Sequence, residues 1–193
     1  MARNREFNTD DALDKAMLLF WNKGFNGVST QEIIDDLNIS KSSMYGAFGD
    51  KMELFTLTLL RYSSKIIVDI NNEFEISQNV KMTFKKILSQ IYKEALSKKL
   101  NNGCFIVNST IELAPHNKKI AKIVSDHRTK LEDIFENAIN KAIEKKQVPA
   151  TKNAKQISCF FCNTINGMYV DSKYIRTKTS YENTINTVIA SLD

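Results

Sequence analysis

Proline and glycine, the residues that most strongly interrupt helices, are distributed unevenly along this chain. The 193 residues contain only two prolines, and four of the six glycines lie within the first fifty positions. This distribution predicts a short segment of sharply turned helices followed by longer ones. Apolar residues recur at helical spacing, without strand-like alternation or a hairpin signal. We therefore predict an all-α protein of about nine helices, with an N-terminal three-helix head and a C-terminal helical bundle.

The first predicted helix runs from about Thr9 to Lys23. Its apolar positions follow the i, i+3, i+4, i+7 spacing of one buried side. They are Leu13, Ala16, Met17, Phe20 and Trp21. Gly24 supplies the left-handed backbone conformation that commonly ends a helix. Asn26 and Gly27 then form a tight turn, so the chain can reverse toward a second helix.

Two capping boxes delimit the helices that follow. Ser29 can accept the amide of Glu32 while Glu32 reaches back to Ser29, which starts the second helix. Asn38 ends that helix because asparagine tolerates positive φ. Ser40 caps a third short helix, and residues 50–53 form another capping box that opens a long fourth helix. Two short helices joined by about three residues and packed on a first helix form a helix-turn-helix.

The third helix carries the residue types that read DNA. In a helix-turn-helix, the second helix of the motif lies in the major groove and presents its N-terminal residues to base edges. Here those residues are small or basic, and all can donate hydrogen bonds. They are Ser40, Lys41, Ser42 and Ser43. Met44 and Phe48 point the other way, toward the apolar core. Thr30 at the start of the second helix suits a phosphate oxygen, and Lys51 adds a positive charge near the same DNA strand.

Bulk charge does not support DNA binding, although the whole chain carries a formal charge of +5. Residues 1–51 contain six Lys or Arg against eight Asp or Glu, a net charge of −2. The argument therefore depends on the placement of single cations. Among them, Arg3 and Arg5 form a basic arm that could reach an adjacent groove. Short capped helices with serines also occur in all-α proteins that never bind DNA, so spacing alone leaves both interpretations open.

The motif STQEIIDDLNISKSSMYGAFGDKMELF, residues 29–55, resembles the TetR family of transcriptional regulators. Residues 19–25 fit the first helix of that family. Within residues 7–55 the hydrophobic, cap and turn positions all coincide, and beyond them the chain resembles the family only in length and helical character. The resemblance implies a DNA-binding domain over residues 1–50 and a ligand-binding, dimerising helical domain over residues 51–193.

The resemblance also implies which residues bind DNA. By position, Thr30, Tyr45 and Lys51 contact phosphates, and residues 40–46, which include Gly46, contact bases. The implied function is ligand-responsive repression. A homodimer binds a palindromic double-stranded DNA operator, with recognition helices about one DNA turn (~34 Å) apart, and a small molecule releases it.

Two positions depart from the family pattern. Asn38 stands where the family often has glycine, and Ala47 stands where it often has histidine. A common phosphate contact is therefore missing at position 47. The sequence at residues 47–51 is similar to that of one branch of the family, the AcrR-like branch.

Longer helices are predicted over the rest of the chain. They cover about residues 51–75, 79–99, 103–114, 117–146, 153–175 and 180–192. The helix over 153–175 is apolar almost all round near Cys159 and Cys162, which a core on one side and a partner subunit on the other would explain. The resemblance places the dimer interface on the last two helices, and the alternative is a purely internal helix. Without a second CxxC or a His pair, the two cysteines are predicted to be buried core thiols.

Residues 102–113 resemble a segment that begins the sixth helix, near the effector pocket, in some family members. Cys104 would lie in the first turn, where a helix N-terminus lowers the pKa of a thiol. It could therefore sense oxidants or electrophiles, or it could be a small packing residue. Asn108 and Glu112, spaced i, i+4, could point into the pocket near Phe105, or neighbouring helices could satisfy them. The predicted effector is a small apolar or aromatic molecule.

Other classes of function find less support in the sequence. Neither histidine has ligand-like neighbours, so no metal or other cofactor is predicted. An enzyme using Cys104 as a nucleophile is one alternative, although no histidine has an evident reason to pair with it. A dimeric interaction protein without DNA binding is another. No apolar run approaches the ~20 residues that span a bilayer, and the first residues lack the apolar stretch of a signal peptide. We therefore expect a cytoplasmic protein with no membrane partner.

Overall fold

The structure, a computed structural model, describes residues 7–97, 102–174 and 177–193. Over these ranges the chain forms nine α-helices and no strand. The helices are α1 (Thr9–Lys23), α2 (Thr30–Leu37), α3 (Lys41–Phe48), α4 (Lys51–Ile76), α5 (Val80–Leu96), α6 (Phe105–Glu112), α7 (Lys118–Glu144), α8 (Ala154–Asp171) and α9 (Lys178–Ala190). The predicted all-α architecture is confirmed. The basic arm predicted at Arg3 and Arg5 lies outside the described residues.

Local caps place the first helices where the sequence predicts them. The Asn8 side chain accepts the amides of Asp10 and Asp11 at 2.9 and 3.4 Å, which starts α1. Gly24, with φ of +74°, ends it. The longer helices deviate by a few residues at their ends: α5 stops at Leu96 and α8 at Asp171, short of the predicted ends. Helix ends without a strong stop signal are the least determined by local sequence.

The described residues form two compact units. Unit 1 takes the described part of residues 1–64 together with 104–124, and unit 2 takes that of residues 65–103 together with 125–193. Helices α4 and α7 contribute to both units, and α6 belongs to unit 1 with α1, α2 and α3. The domain boundary predicted between residues 50 and 51 is a functional one, between DNA binding and effector binding, and it stays a prediction. No helix among the described residues is long and apolar enough to cross a membrane.

The core of unit 1 is a group of aromatic rings that joins α1, α4 and α6. The Phe55 ring lies edge-on to Phe20 and to Phe105, with centroids 5.1 and 5.3 Å apart. Tyr62, about two turns further along α4, packs on Phe105 at 5.8 Å and on Trp21 at 5.0 Å. Edge-to-face pairs add about 0.5–1.5 kcal/mol each beyond their burial. The start of α6 is thereby fixed to the helices of the head.

The core of unit 2 is built where α5 packs on α8 and α9. Three fully buried phenylalanines meet at its centre, with the Phe84 ring 4.0 Å from Phe161 and 5.0 Å from Phe135. Residues of α9, among them Tyr181 and Ile185, complete this core. The aromatic rings supply the large apolar area that a bundle of this size needs to be stable.

The prediction of two buried thiols is correct for Cys162 and wrong for Cys159. Cys162 is 1% exposed, and its burial raises the pKa of the thiol to about 12. Cys159 is exposed, and its Sγ lies 3.5 Å from the Arg128 guanidinium. The inward stripe of α8 includes Ser158 and Phe161. Because successive helix positions rotate by about 100°, Cys159 then faces outward.

Candidate nucleic-acid interface

Three residues connect α2 to α3. Asn38, the first of them, adopts the left-handed conformation with φ of 51° and ψ of 48°. Its N–H donates to the carbonyl of Asp35, and the N–H of Ile39 donates to the carbonyl of Ile34. Asparagine enters this region at lower cost than most non-glycine residues. The prediction that Asn38 ends the second helix is confirmed, and the turn forms without the glycine frequent in the family.

Helix α3 divides its side chains between the core and solvent. Met44 is fully buried and Phe48 is 4% exposed, so these two side chains fix α3 to unit 1. Lys41, Ser42 and Tyr45 are exposed, and Tyr45 retains 47% of its accessible surface. The outward side of α3 therefore presents an ammonium group and hydroxyls, which suit base edges and phosphates.

The serines at the start of α3 form one hydroxyl cluster. The Ser40 Oγ accepts the amide of Ser43 at 3.0 Å, which makes Ser40 the N-cap. The same oxygen lies 2.9 Å from the Ser42 Oγ and 2.8 Å from the Ser43 Oγ. The Ser40 hydroxyl therefore serves mainly as the helix cap. Ser42 is more exposed than Ser43, so its hydroxyl is the more accessible of the two.

Gly46 has no structural reason to be glycine among the residues described. It lies inside α3 with ordinary helical geometry, and a Cβ there would meet no neighbouring atom within 4 Å. Glycine inside a helix costs about 0.5–1 kcal/mol relative to alanine. Its bare backbone leaves room for another molecule to approach the outward side of α3 closely.

The start of α2 forms the predicted capping box. The Ser29 Oγ accepts the amide of Glu32 at 3.1 Å. A hydrogen bond and ion pair from Lys23 lowers the pKa of the Glu32 carboxyl, and the backbone N–H of Ser29 lowers it further. Thr30 is the first residue of α2 and is half-buried. Its hydroxyl thus lies at a helix N-terminus, where anions are favoured.

Lys51, another of the three predicted phosphate contacts, opens α4. The capping box around it is complete, because Asp50 and Glu53 exchange amide-to-carboxylate hydrogen bonds of 2.9 and 2.8 Å. The Lys51 Nζ lies 4.2 Å from the centroid of the Phe25 ring. Partial burial lowers the pKa of Lys51, and the charge of Glu112 opposes that shift. Lys51 therefore rests on Phe25 within the electrostatic reach of Glu112.

The four predicted effector residues lie along α6 and its N-cap. Cys104 is the N-cap and is 8% exposed, with the Tyr62 hydroxyl donating toward its Sγ at 3.7 Å. Phe105 is part of the aromatic core, and Asn108 is half-buried. The Glu112 carboxylate contacts the connection between α1 and α2. Effector binding by these four residues stays a prediction.

A pocket of about 330 Å³ lies in unit 2, between α4, α5 and α7. Its lining mixes apolar, amide and charged side chains. They include Phe74, Glu75, Val80, Ile134, Asn137 and Lys141. None of the four predicted effector residues lines this pocket. Across the described ranges, no group of three or more His, Cys, Asp or Glu side chains is arranged to hold a metal ion.

Sequence reasoning missed the role of Arg61, a residue of α4. Its guanidinium donates to both carboxylate oxygens of Asp14 at 2.8 and 2.9 Å and to Asp10 at 2.8 Å. The two aspartates raise the pKa of Arg61. Arg61 lies outside residues 1–51, so the net charge of −2 over that segment overstates the acidity of the head. Arg61 lies 47 positions from Asp14 and 51 positions from Asp10, and no local sequence pattern predicts contacts over such separations.

Sequence reasoning left the role of Glu112 open and did not predict the partners that the structure shows for its carboxylate. Its Oε1 accepts the amide of Asn26 at 2.8 Å, and its Oε2 accepts the amide of Phe25 at 3.1 Å. A single carboxylate thus binds two consecutive amides of the turn that follows α1. Hydrogen bonds to a charged acceptor are among the stronger ones in proteins.

Comparison with known protein families identifies the family to which this chain belongs. Residues 12–57 match the family described as bacterial regulatory proteins, tetR family, and residues 84–188 match the tetracyclin repressor-like C-terminal domain. The chain belongs to the TetR family. The resemblance predicted for residues 7–55 is confirmed. The relationship also extends over the C-terminal helices, and the AcrR-like branch stays a prediction.

Individual relatives agree with the family assignment. The chain is 27% identical to the uncharacterized HTH-type transcriptional regulator YezE of Bacillus subtilis, over 77% of this chain and 76% of the relative. It is 24% identical to the HTH-type transcriptional repressor ComR of Escherichia coli, over 89% of this chain and 82% of that protein. A structure of the TetR-family regulator CifR, a cysteine variant complexed with a 26-base-pair operator DNA, has the same fold with a TM-score of 0.82. It is 23% identical and covers 98% of both chains.

Proposed function

We propose that this TetR-family regulator is a ligand-responsive repressor that binds a palindromic double-stranded operator as a homodimer. The outward side of α3 carries the proposal. Lys41, Ser42 and Tyr45 are exposed there, while Met44 and Phe48 hold the helix against the core. This arrangement suits insertion into a major groove. A regulator that binds chromosomal DNA in a bacterium acts in the cytoplasm.

We assign the DNA contacts by the geometry of unit 1. Thr30, Tyr45 and Lys51 contact phosphates, since two of them open helices and the third projects from α3. Base contacts come from residues 40–46, where the serine hydroxyls and Lys41 lie at the N-terminal end of α3 and the bare Gly46 backbone lies further along the same helix. Phosphate contacts fix the register of a protein on DNA, and base contacts supply the sequence preference.

A homodimer supplies the second recognition helix that a palindrome requires. The outward side of α8 supports this proposal. Phe160 and Val170 are 44% and 40% exposed, and a Cβ at Gly167 between them would meet no described atom within 4 Å. Exposed apolar side chains beside a bare backbone suit close packing against another helix. We infer that a second copy of the chain covers this side.

Repression and effector release have separate support. ComR is named a repressor, and CifR was observed on operator DNA. We propose that a small apolar or aromatic effector acts at the start of α6, where Phe105 joins a group of aromatic rings and Cys104 is the N-cap. An electrophile such as N-ethylmaleimide tests the sensing role of Cys104. If it releases DNA equally from wild type and Cys104→Ser, that role is excluded.

Selection of DNA by the wild-type protein tests the proposed function. Genomic fragments captured by the protein are sequenced and footprinted. The mass of the complex on a selected duplex then gives the number of chains bound. We expect an inverted repeat with two protected half-sites and at least two chains per duplex. If no fragment is enriched over a random duplex at physiological salt, DNA binding is refuted. In that case, the alternative of a dimeric interaction protein gains support.

A further inference from the structure

The carboxylate of Glu112 ties the end of α6 to the DNA-binding helices. It accepts the consecutive amides of Phe25 and Asn26 with separate oxygens, at 3.1 and 2.8 Å. These residues form the connection between α1 and α2, more than eighty positions away in sequence. Two amides directed at one carboxylate make a contact with a defined geometry rather than a general attraction.

The backbone around this contact is shaped for it. Gly24 precedes the two amides with φ of +74°, and a Cβ there would lie 2.9 Å from Glu112 Oε2. Glycine is therefore needed both for the backbone conformation that ends α1 and for the close approach of the carboxylate. The N-terminal end of α6 is also fixed, because Phe105 packs on Phe55 and Tyr62.

The connection held by Glu112 leads directly to the proposed phosphate contacts. From Asn26 the chain runs through Val28, which is 1% exposed, to the N-cap of α2 and Thr30. On the other side, the ammonium of Lys51 rests on the Phe25 ring. A displacement of Phe25 and Asn26 would thus move the start of α2 and the support beneath Lys51.

We propose that Glu112 is a positioning residue that couples the position of α6 to DNA affinity. By holding the Phe25 and Asn26 amides, it keeps Thr30 and Lys51 where they reach phosphates. A shift of α6 that withdraws the carboxylate lowers DNA affinity without any change in the DNA-contacting side chains. The inference rests on the proposed function and adds a route of regulation to it.

The test uses the full chain and a duplex that the wild-type protein has selected. Dissociation constants are measured at about 0.15 M salt for Glu112→Ala, for the nearly isosteric Glu112→Gln and for the control Ile111→Ala. Ile111 is 69% exposed and precedes Glu112 in the same helix turn. Denaturant midpoints establish that each variant is folded in the assay, and amide exchange is followed at Phe25 and Asn26.

We expect Glu112→Ala to bind the duplex about tenfold more weakly, since hydrogen bonds to a charged acceptor affect equilibria by about that factor or more. Glu112→Gln should lie between wild type and Glu112→Ala, because its amide nitrogen cannot accept a hydrogen bond. Both variants should exchange the Phe25 and Asn26 amides faster, while Ile111→Ala behaves as wild type. If Glu112→Ala does not fold, Glu112→Gln alone decides.

The sign of the effect separates positioning from simple electrostatics. Removing a negative charge near a DNA-binding surface would by itself strengthen DNA binding. Unchanged or tighter binding by folded Glu112→Gln and Glu112→Ala would therefore overturn the proposal. If the wild-type protein selects no duplex, the proposed function has failed and the coupling fails with it. If the wild-type protein binds a duplex and the Glu112 variants bind it with undiminished affinity, only the proposed coupling has failed.

Discussion

The outward sides of α3 in unit 1 and of α8 in unit 2 differ in what they expose to solvent. In unit 1, the hydroxyls of α3 and the ammonium of Lys41 point to solvent. In unit 2, His127 and Cys162 are buried, while the outward side of α8 exposes Phe160. Burial lowers the pKa of His127 to about 4, and nearby Lys130 lowers it too, so His127 is neutral at physiological pH.

This difference indicates what each surface meets. A side that is polar and hydrogen-bonding suits a hydrated, charged partner such as DNA, and an apolar outward side suits another protein chain. The contrast also separates binding from stability. Changes on the outward sides of α3 and α8 should alter complexes, whereas changes at buried groups of unit 2 should alter the free energy of unfolding.

The largest expected effect comes from a charge on the outward side of α8. Phe160→Asp would bury an unpaired carboxylate in the proposed dimer interface, which costs about 3–5 kcal/mol. We expect the dimer dissociation constant to rise about a thousandfold and operator binding to fall with it. Sedimentation equilibrium measures the first quantity. Met82→Asp, at a 70% exposed apolar position of α5, is the control. A Phe160→Asp protein that remains as dimeric as this control would show that α8 does not form the interface.

Acid should destabilise the protein through His127. Its pKa of about 4 in the folded chain lies below the ordinary value of 6.5, so the unfolded chain binds the proton first as pH falls. Stability is therefore lost between pH 6.5 and about pH 4, by up to about 3 kcal/mol, and the loss levels off below that window.

Denaturant midpoints measured across this range for wild type and His127→Gln isolate the histidine from the carboxylates. We expect His127→Gln to lose less stability on acidification. His116→Gln, at an exposed position, should keep the wild-type profile. Parallel profiles for wild type and His127→Gln would exclude the buried histidine as the cause.

The exposed tyrosine of α3 should have a smaller effect, limited to DNA binding. We expect Tyr45→Ala to weaken operator binding about tenfold while leaving the unfolding midpoint within error, because its side chain is exposed and is proposed to contact phosphate. Tyr174→Ala removes a more exposed tyrosine from unit 2 and should bind as wild type. Equal affinities for both variants would remove Tyr45 from the interface.

The smallest effect concerns the salt dependence of binding. Each phosphate contact contributes about 0.9 to the slope of log affinity against log salt concentration. We therefore expect Lys51→Ala to flatten the slope by about that amount, and Lys51→Arg to retain it. An unchanged slope in Lys51→Ala would mean that Lys51 stays on the Phe25 ring in the complex.

Sequence predicted what short-range interactions determine. The bounds of α1, α2 and α3 follow from caps within a few residues, at Ser29, Ser40 and Gly24. The polar outward side of α3 follows from the burial of Met44 and Phe48 at helical spacing. The proposed contacts of Ser40, Lys41, Ser42 and Ser43 follow from the same local pattern, whereas those of Tyr45 and Gly46 follow from the resemblance to the TetR family.

Sequence did not predict the contacts that join distant segments. For Glu112 the sequence left open a place in the effector pocket or contacts with neighbouring helices, and it did not predict that the carboxylate accepts amides 86 and 87 positions away. Arg61 compensates Asp10 and Asp14 of α1, which lie 51 and 47 positions away in sequence. Such contacts depend on how helices pack, and helical periodicity gives the side of a residue but not its partner.

The most direct test of the account is the sequence preference of Lys41→Ala. Dissociation constants for the selected operator and for a random duplex are measured at one salt concentration, with Lys145→Ala as a control that removes the same charge from an exposed position of unit 2. We expect Lys41→Ala to lower the ratio of specific to random binding about tenfold, and Lys145→Ala to leave it unchanged. An unaltered ratio in Lys41→Ala would contradict the claim that the outward side of α3 reads DNA.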